Sequence, residues 1–244
     1  MTDSTVRFSD RADDYARFRP SYPGEAIDAV LAGLRDPHVA DLGAGTGISA
    51  ALLADAGALV YAVEPNAAMR SALPVRPEIV PLAGAAESTG LEPDSVDVVT
   101  AFQAYHWFDP ARVFAEADRI ARRRARFAAV WNERDEHDTF VRAYNAIIEP
   151  YMTDATERNR RSSTIDADLV RFGWSPVRVL TFTQVQALDW EGLIGRTRSA
   201  SYIPREGPVY DEMAAKLRAL YDEAAAGDSV AFTLVTTVHL GERS

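Results

Sequence analysis

The sequence predicts an α/β fold, a doubly wound and mainly parallel sheet of seven strands with helices on both faces. Three observations carry this expectation. Short runs rich in β-branched residues alternate with amphipathic segments between residues 39 and 131, the pattern that parallel strands joined by crossover helices produce. The first of these runs ends in a glycine-rich turn, Asp41-Leu42-Gly43-Ala44-Gly45-Thr46-Gly47. With 244 residues, 47% apolar and 25% charged, the chain can bury a sizeable core and has the balance of an ordinary globular protein.

Taken in order, Val39–Leu42 is the first strand and Ile48–Ala56 the helix that follows the glycine turn. Leu59–Glu64 is the second strand, closed by Pro65-Asn66, a pair suited to starting the next helix. Glu78–Leu82 is the third strand. Ser95–Phe102 is the fourth, and its dense β-branched content suits burial on both faces. Pro110–Arg124 is a helix with Val113, Phe114, Ala117 and Ile120 on one side; Arg122, Arg123 and Arg124 close it, where cations complement the helix dipole. Arg126–Trp131 is the fifth strand. Beyond residue 132 the alternation weakens. A helix is expected over Asp138–Tyr151, a polar loop over Thr153–Ser163, a strand over Val177–Leu188 and a helix over Trp190–Ser199. A strong helix over Tyr210–Ala225 and a strand over Ser229–Leu240 end the chain. One domain fits best, divided into a leading segment 1–23, a core 24–135, an insertion 136–210 that also holds the sixth strand, and a final helix and strand over 211–244.

Composition narrows the chemistry. There is no cysteine, which removes disulfides, thiolate metal sites and cysteine nucleophiles together. The four histidines (His38, His106, His137, His239) include no i, i+4 pair, so no metal is expected. Lys216 is the only lysine, so lysine chemistry is confined to one position. The net charge of −10 disfavours a nucleic-acid partner. No secretory signal and no run of eighteen apolar residues is present. A soluble, cytoplasmic monomer or homodimer without a membrane partner is therefore expected.

The glycine turn is the most informative segment. Glycine lets a backbone turn sharply and approach a ligand where a Cβ would clash, and the following helix offers unpaired N–H groups. A dinucleotide fingerprint counted from Gly43 needs its third glycine where Ile48 stands, and a phosphate-cradling loop needs a lysine that is absent. Instead Asp41 lies two residues before Gly43, where a carboxylate would repel a pyrophosphate but accept from an amino group. Glu64 ends the second strand, where a carboxylate can hold both ribose hydroxyls. The implied ligand is a nucleoside with an amino-bearing or cationic tail and no phosphate.

These residues resemble the cofactor site of class I S-adenosylmethionine-dependent methyltransferases. Residues 39–47 (VADLGAGTG) resemble that family's first motif and 60–69 (VYAVEPNAAM) its second. Gly84-Ala85-Ala86-Glu87 is similar to the loop after the third strand, and Ser95–Asp109 to the fourth motif beside the transferred methyl. The segment from Phe8 to Pro23, the run His106-Trp107-Phe108-Asp109 and the later Ser201–Pro204 resemble a small-molecule subgroup of methyltransferase type 11 enzymes that includes aconitate-type carboxyl methyltransferases. The resemblance implies a Rossmann-like core, S-adenosyl-L-methionine as cofactor, S-adenosyl-L-homocysteine as product and a small-molecule acceptor. It implies cofactor contacts from Asp41, Gly43, Gly45, Gly47, Glu64, Pro65, Met69, Ala86 and Glu87, with residues 1–23 as a lid and 136–210 as a substrate cap. In that lid Arg19 would pair with the methionine carboxylate and Tyr15 would line the transfer channel; a surface helix packing its aromatic face is the alternative for this segment.

Methyl transfer from a sulfonium needs the nucleophile held about 3 Å from the methyl and in line with sulfur. A positioned base adds roughly 10²–10⁴ for a hydroxyl or ammonium acceptor, and a carboxylate needs none. His106 is the candidate base, with a pocket-wall role as the alternative. Gln103, at the strand end, is placed to touch cofactor or acceptor. Tyr105, Trp107, Trp131 and Tyr202 are candidate pocket aromatics, and packing is an equal alternative for Trp131 and Tyr202. Arg134, Arg196 and Arg198 are candidates for an acidic acceptor, with solvated surface arginine as the alternative. The leading expectation is methyl transfer to oxygen or nitrogen of a small molecule, in secondary metabolism. An NAD-dependent oxidoreductase, disfavoured by Ile48 and Asp41, and a non-catalytic S-adenosylmethionine-binding protein are the competing classes.

Overall fold

A computed structural model describes residues 20–152, 164–199, 203–204 and 206–243. Seven strands form one sheet in the order β3-β2-β1-β4-β5-β7-β6. They are β1 His38–Leu42, β2 Leu59–Val63, β3 Ile79–Leu82, β4 Val96–Phe102, β5 Ala121–Arg134, β6 Trp174–Leu188 and β7 Val230–Arg243. The first five are parallel, and β7 runs antiparallel to both β5 and β6. The helices are α1 Gly24–Leu31, α2 Ile48–Asp55, α3 Ala67–Ser71, α4 Pro110–Ile120, α5 Thr139–Ile148, α6 Ile165–Arg171, α7 Trp190–Ser199 and α8 Pro208–Ala224. This is the α/β doubly wound, mainly parallel seven-stranded arrangement of a Rossmann-like fold. Among the described residues no helix is long and apolar enough to cross a membrane.

The strand order fixes where a ligand can sit. From β1 the chain moves outward to β2 and β3, then returns to the other side of β1 for β4. The loops leaving β1 and β4 therefore diverge, and a crevice opens at the carboxyl ends of these two strands. Both strands are buried on each face. Ala40 and Leu42 of β1 join Val99 and Ala101 of β4 in one core cluster, while Val39 and Val98 face the other. Local capping sets the helix starts that border the crevice. The Asn66 side chain accepts from the N–H groups of Ala68 and Met69 to begin α3, and Asp109 accepts from Arg112 to begin α4 behind Pro110.

The arginine run at 122–124 lies in β5 and not at a helix end. The helix α4 stops at Ile120 because the chain docks there onto the start of β4: Asp94 and Ser95 donate N–H bonds to the carbonyls of Arg119 and Ile120 (3.1 and 2.8 Å). Between the paired positions Val96–Ala121 and Val98–Arg126 the strand bulges, Arg124 takes φ +65°, and Arg122 turns sideways to Asp97 at 2.7 Å. The helices α1 and α6 were not foreseen, both being short segments without a long amphipathic repeat.

Strands β5, β6 and β7 outrun the parallel core. The last residues of β5, Glu133 and Arg134, pair with Val235 and Leu234, so the first residues of β7 continue past the carboxyl end of β5. There Val230, Phe232 and Leu234 build a third core cluster with Val141, Tyr144 and Ile148 of α5, Leu193 of α7 and Met213 and Leu217 of α8. This second layer stands at the end of the sheet where the crevice opens.

Glu116 of α4 ties the crevice rim to the fold. Its Oε1 accepts from the N–H and hydroxyl of Thr89 (2.8 and 2.6 Å), and Arg119 donates to both of its oxygens. Arg119 and these hydrogen bonds hold its pKa down at about 2, against an ordinary 4.5. A depressed folded pKa means that its stabilisation is complete above about pH 4.5 and is lost as pH falls toward 2. Glu116→Gln is expected to lower stability at pH 7 by on the order of 2–3 kcal/mol and to flatten the acid limb; urea melts from pH 2 to 7 measure both.

Candidate active site

The glycine turn sits at the carboxyl end of β1, pinned by bonds from the Gly43 and Ala44 N–H groups to the Val63 carbonyl (2.9 and 3.2 Å). Two of its glycines serve packing. A Cβ on Gly43 would lie 2.9 Å from the Ala104 Cβ, and one on Gly47 would meet Leu73 and Pro74 at 2.6 and 2.7 Å. Gly45 differs: at φ +59° nothing lies within 4 Å of its would-be Cβ, so its backbone is bare toward the crevice.

Two carboxylates brace the elements around this turn. Glu64 follows β2; its Oε2 accepts the Gly45 N–H at 2.9 Å and its Oε1 the Asn66 N–H at 2.8 Å. Asp41 lies under the turn, fully buried, and does not reach the crevice wall. Its Oδ2 accepts from the Ser49 hydroxyl (2.6 Å) and its Oδ1 from the Thr100 hydroxyl (2.8 Å), joining α2 to β4. Burial is the main cause that pushes its pKa up to about 6, opposed by those two hydroxyls.

The crevice holds a cavity of about 330 Å³. Gly43, Gly45, Glu64, Pro65, Met69, Ala86, Glu87, Gln103, Trp107 and Phe108 are among the residues that line it. Glu87 is braced by the Asp109 N–H at 2.9 Å. A smaller void of about 30 Å³ adjoins it, bordered by Pro20, Tyr22, Thr46, Ser49 and Asn132. Phe102, Gln103, Gly43 and Gly45 border both spaces. Of the sequence-derived cofactor candidates, Gly43, Gly45, Glu64, Pro65, Met69, Ala86, Glu87 and Gln103 come together around this one cavity, and Gly47 stands behind it as the residue before α2. Tyr15, Arg19 and Tyr202 lie outside the described residues.

Gln103 takes φ +53°, uncommon for a residue with a side chain. Its N–H donates to the Val130 carbonyl and its Nε2 to the Asn132 carbonyl, each at 2.8 Å. The side chain of Asn132 extends this network: its Nδ2 donates to the Ser21 carbonyl (3.0 Å), which also accepts from Gln184 (3.1 Å), and its Oδ1 accepts from Thr236. Residues 20–22 are thus fastened across the strand ends beside the smaller void.

Tyr105, expected in the pocket, is a core residue instead, and Trp131 follows its packing alternative. Tyr105 is 4% exposed, ringed by Phe108, Phe114, Phe127 and Trp131, and its hydroxyl donates to Asp168 of α6 at 2.8 Å. Burial is the first cause that raises its pKa, with Asp168 adding to it. Trp131 is 1% exposed and packs against Tyr105 and His239. The single 3-10 turn Tyr105–Trp107 explains the split. Its steps of about a third of a turn per residue send Tyr105 inward and leave Trp107, 39% exposed, at the cavity. His106 stacks at a tilt on Trp107, ring centres 4.9 Å apart, and is not among the residues that line either space. Asn132 borders the smaller void and was not singled out from the sequence; strand alternation next to the apolar Trp131 was the available signal.

The three candidate arginines belong to the third cluster. Arg134 lies over Tyr144, Arg198 over Tyr210, and Arg196 over Phe232 at 4.5 Å while donating to Gln186. None lines either space. Among the described residues no group of three or more His, Cys, Asp or Glu is placed to hold a metal ion.

Comparison with known proteins agrees with this geometry. Residues 40–129 match the methyltransferase domain model. An uncharacterised methyltransferase of Mycobacterium tuberculosis is 43% identical over 147 residues, which is 60% of the chain and 60% of that protein. The chain thus spans about 60% of the length of the curated mycobacterial relatives it matches. An uncharacterised methyltransferase of Schizosaccharomyces pombe is 25% identical over 94% of both chains. Among solved structures, a candidate type II methyltransferase of Anaeromyxobacter dehalogenans superposes with a TM-score of 0.69 at 26% identity, covering 92% of this chain and 98% of that one.

The pKa of Asp41 near 6 carries a sign that can be tested. Its folded value lies above the unfolded 3.8, so its contribution to stability is full below about pH 4 and is lost as pH rises through 6. Asp41→Asn keeps an acceptor and a donor for the two hydroxyls without the buried charge. It is expected to stabilise the ligand-free protein at pH 7 by about 1–3 kcal/mol and to remove the slope between pH 4 and 6 in thermal melts.

Proposed function

We propose that the chain is a class I methyltransferase, a reading supported by the matched domain model and the similar proteins, and that it transfers a methyl group from S-adenosyl-L-methionine to a nitrogen or oxygen of a small organic molecule, releasing S-adenosyl-L-homocysteine. The observation that carries this reading is Glu64. Its carboxylate stands at the end of β2, bonded to the bare Gly45 turn and facing a cavity of nucleoside size. A carboxylate there has lone pairs left for two ribose hydroxyls, and Gly45 lets a ligand come close to the main chain. Pro65, Met69 and Ala86 supply apolar walls for a flat base, and Glu87 an acceptor for an exocyclic amino group.

When bound, the cofactor supplies an already activated methyl, and the chain's task is to position the nucleophile and exclude water. Trp107 offers an aromatic face to a cationic sulfur. Asp41 acts through the turn, by fixing α2 against β4. Arg19 on the methionine carboxylate, Tyr15 in the channel and Tyr202 over the acceptor complete the proposal as the sequence resemblance implies, all three lying outside the described residues. The layer built by α5, α7 and α8 above the carboxyl end of the sheet is the proposed substrate cap. His106 is proposed to buttress Trp107.

Calorimetric titration tests the reading: S-adenosyl-L-homocysteine is expected to bind and NADH not to bind. Glu64→Ala is expected to weaken that binding about 10–100-fold, the loss of one or two hydrogen bonds to a charged group. His106→Ala is expected to lower kcat less than about tenfold, below the roughly 10²–10⁴ of a positioned base; a loss of that larger size would restore His106 as the base.

A further inference from the structure

We propose that the methyl acceptor is an uncharged amine nitrogen, and that Gln103 selects it by accepting its N–H bond through Oε1. This rests on the methyl-transfer reading above and narrows its acceptor class. The orientation of the Gln103 amide is fixed by chemistry. A backbone carbonyl can only accept, so the group 2.8 Å from the Asn132 carbonyl is the amide nitrogen, and Oε1 is the end left over. No hydrogen bond to that oxygen is formed among the described residues. The residue borders both the larger cavity and the smaller void, which places a carbonyl oxygen with free lone pairs at their junction. Its backbone, at φ +53°, is held there by the Val130 carbonyl, the kind of strained conformation that persists where the surrounding structure over-determines it.

The rest of the lining agrees with a donor and disagrees with an anion. Among the described lining residues there is no arginine, lysine or histidine, and the charged groups are Glu64 and Glu87. A carboxylate acceptor beside Gln103 would meet the lone pairs of its carbonyl oxygen with no described cation opposite it, an arrangement that is costly away from water. A hydroxyl acceptor must lose its proton as it attacks. Glu64 and Glu87 already accept from the N–H groups of Gly45, Asn66 and Asp109, so no described base is committed to that task. An amine keeps its proton through the step. One N–H is donated to Gln103 Oε1 and the nitrogen lone pair forms the new N–C bond. The sulfonium C–S bond breaks with its pair remaining on sulfur, and the product ammonium then releases a proton to water.

The test supplies the enzyme with methyl-labelled S-adenosyl-L-methionine and a deproteinised small-molecule extract of the source organism, then characterises the labelled product. Label that is retained on a cation exchanger and stable to alkali is the expected result. Label released by alkali as volatile methanol (a methyl ester), or stable label that the exchanger does not retain (an ether), overturns the amine assignment. Absence of product with intact S-adenosyl-L-homocysteine binding also overturns it, whereas loss of that binding in the native protein refutes the cofactor reading itself. For Gln103, Gln103→Met is expected to lower kcat/KM for the labelled reaction more than tenfold while S-adenosyl-L-homocysteine affinity changes less than threefold. Gln103→Glu, which still accepts an N–H, is expected to retain more activity than Gln103→Met. Equal losses in the two variants, or a loss of S-adenosyl-L-homocysteine binding that matches the loss of turnover, would show that Gln103 serves the cofactor or the fold instead.

Discussion

The Glu64 carboxylate is the interaction on which the crevice depends. It reaches from the end of β2 to the Gly45 N–H in the turn after β1 and to the Asn66 N–H at the start of α3. Two loops that leave neighbouring parallel strands have no ladder between them, so their backbone donors must find other acceptors. One buried carboxylate satisfies a donor from each. Asn66 passes the constraint on by capping α3, and Arg70 returns it by donating to the Glu64 carbonyl at 2.6 Å. The group proposed to hold ribose hydroxyls is thus also the group that sets the shape of the turn.

Asp41 shows the opposite economy. Nothing about its two hydroxyl partners compensates fully for burial, and its pKa rises to about 6 in consequence. Two acids in a site that also carries Glu87 raise the local negative potential, and the proximity of Glu64 contributes to the Asp41 shift. A cationic ligand placed among them would be attracted for the same reason that the empty arrangement is electrostatically unfavourable. Strain of this kind belongs to a site more readily than to a core, where an apolar residue would serve packing better.

The parallel half of the fold was legible because each of its strands is a short β-branched run buried on both faces, bounded by a turn. Leu59–Glu64 and Ser95–Phe102 fall within one residue of β2 and β4, and Trp190–Ser199 coincides with α7. The glycine turn and Glu64 were legible for a related reason: their spacing is imposed by local backbone geometry. What escaped depends on tertiary contacts. The arginines at 122–124 look like a helix end by composition, and only the docking of the chain onto Asp94 and Ser95 stops α4 at Ile120. Tyr105 and Trp107 are two residues apart, and a 3-10 turn, which has no strong sequence mark, decides that the first is core and the second wall.

The antiparallel end of the sheet carries the least readable part of the molecule, and the reason is physical. Strands β6 and β7 are long, and β6 is an edge strand that alternates between exposed and half-buried residues, so its sequence carries a weak periodic signal. Its neighbours impose the order instead: Gln184 from β6 and Asn132 from β5 converge on the single Ser21 carbonyl, a junction of three segments far apart in sequence. No local pattern announces such a contact. Asn132 also accepts, through its own carbonyl, the amide of Gln103, so the same junction that ties down residues 20–22 orients the side chain at the meeting point of the two spaces. The part of the crevice around the glycine turn and Glu64 is therefore written in short motifs, and the part around Gln103 and Asn132 in long-range hydrogen bonds that only the folded chain brings together.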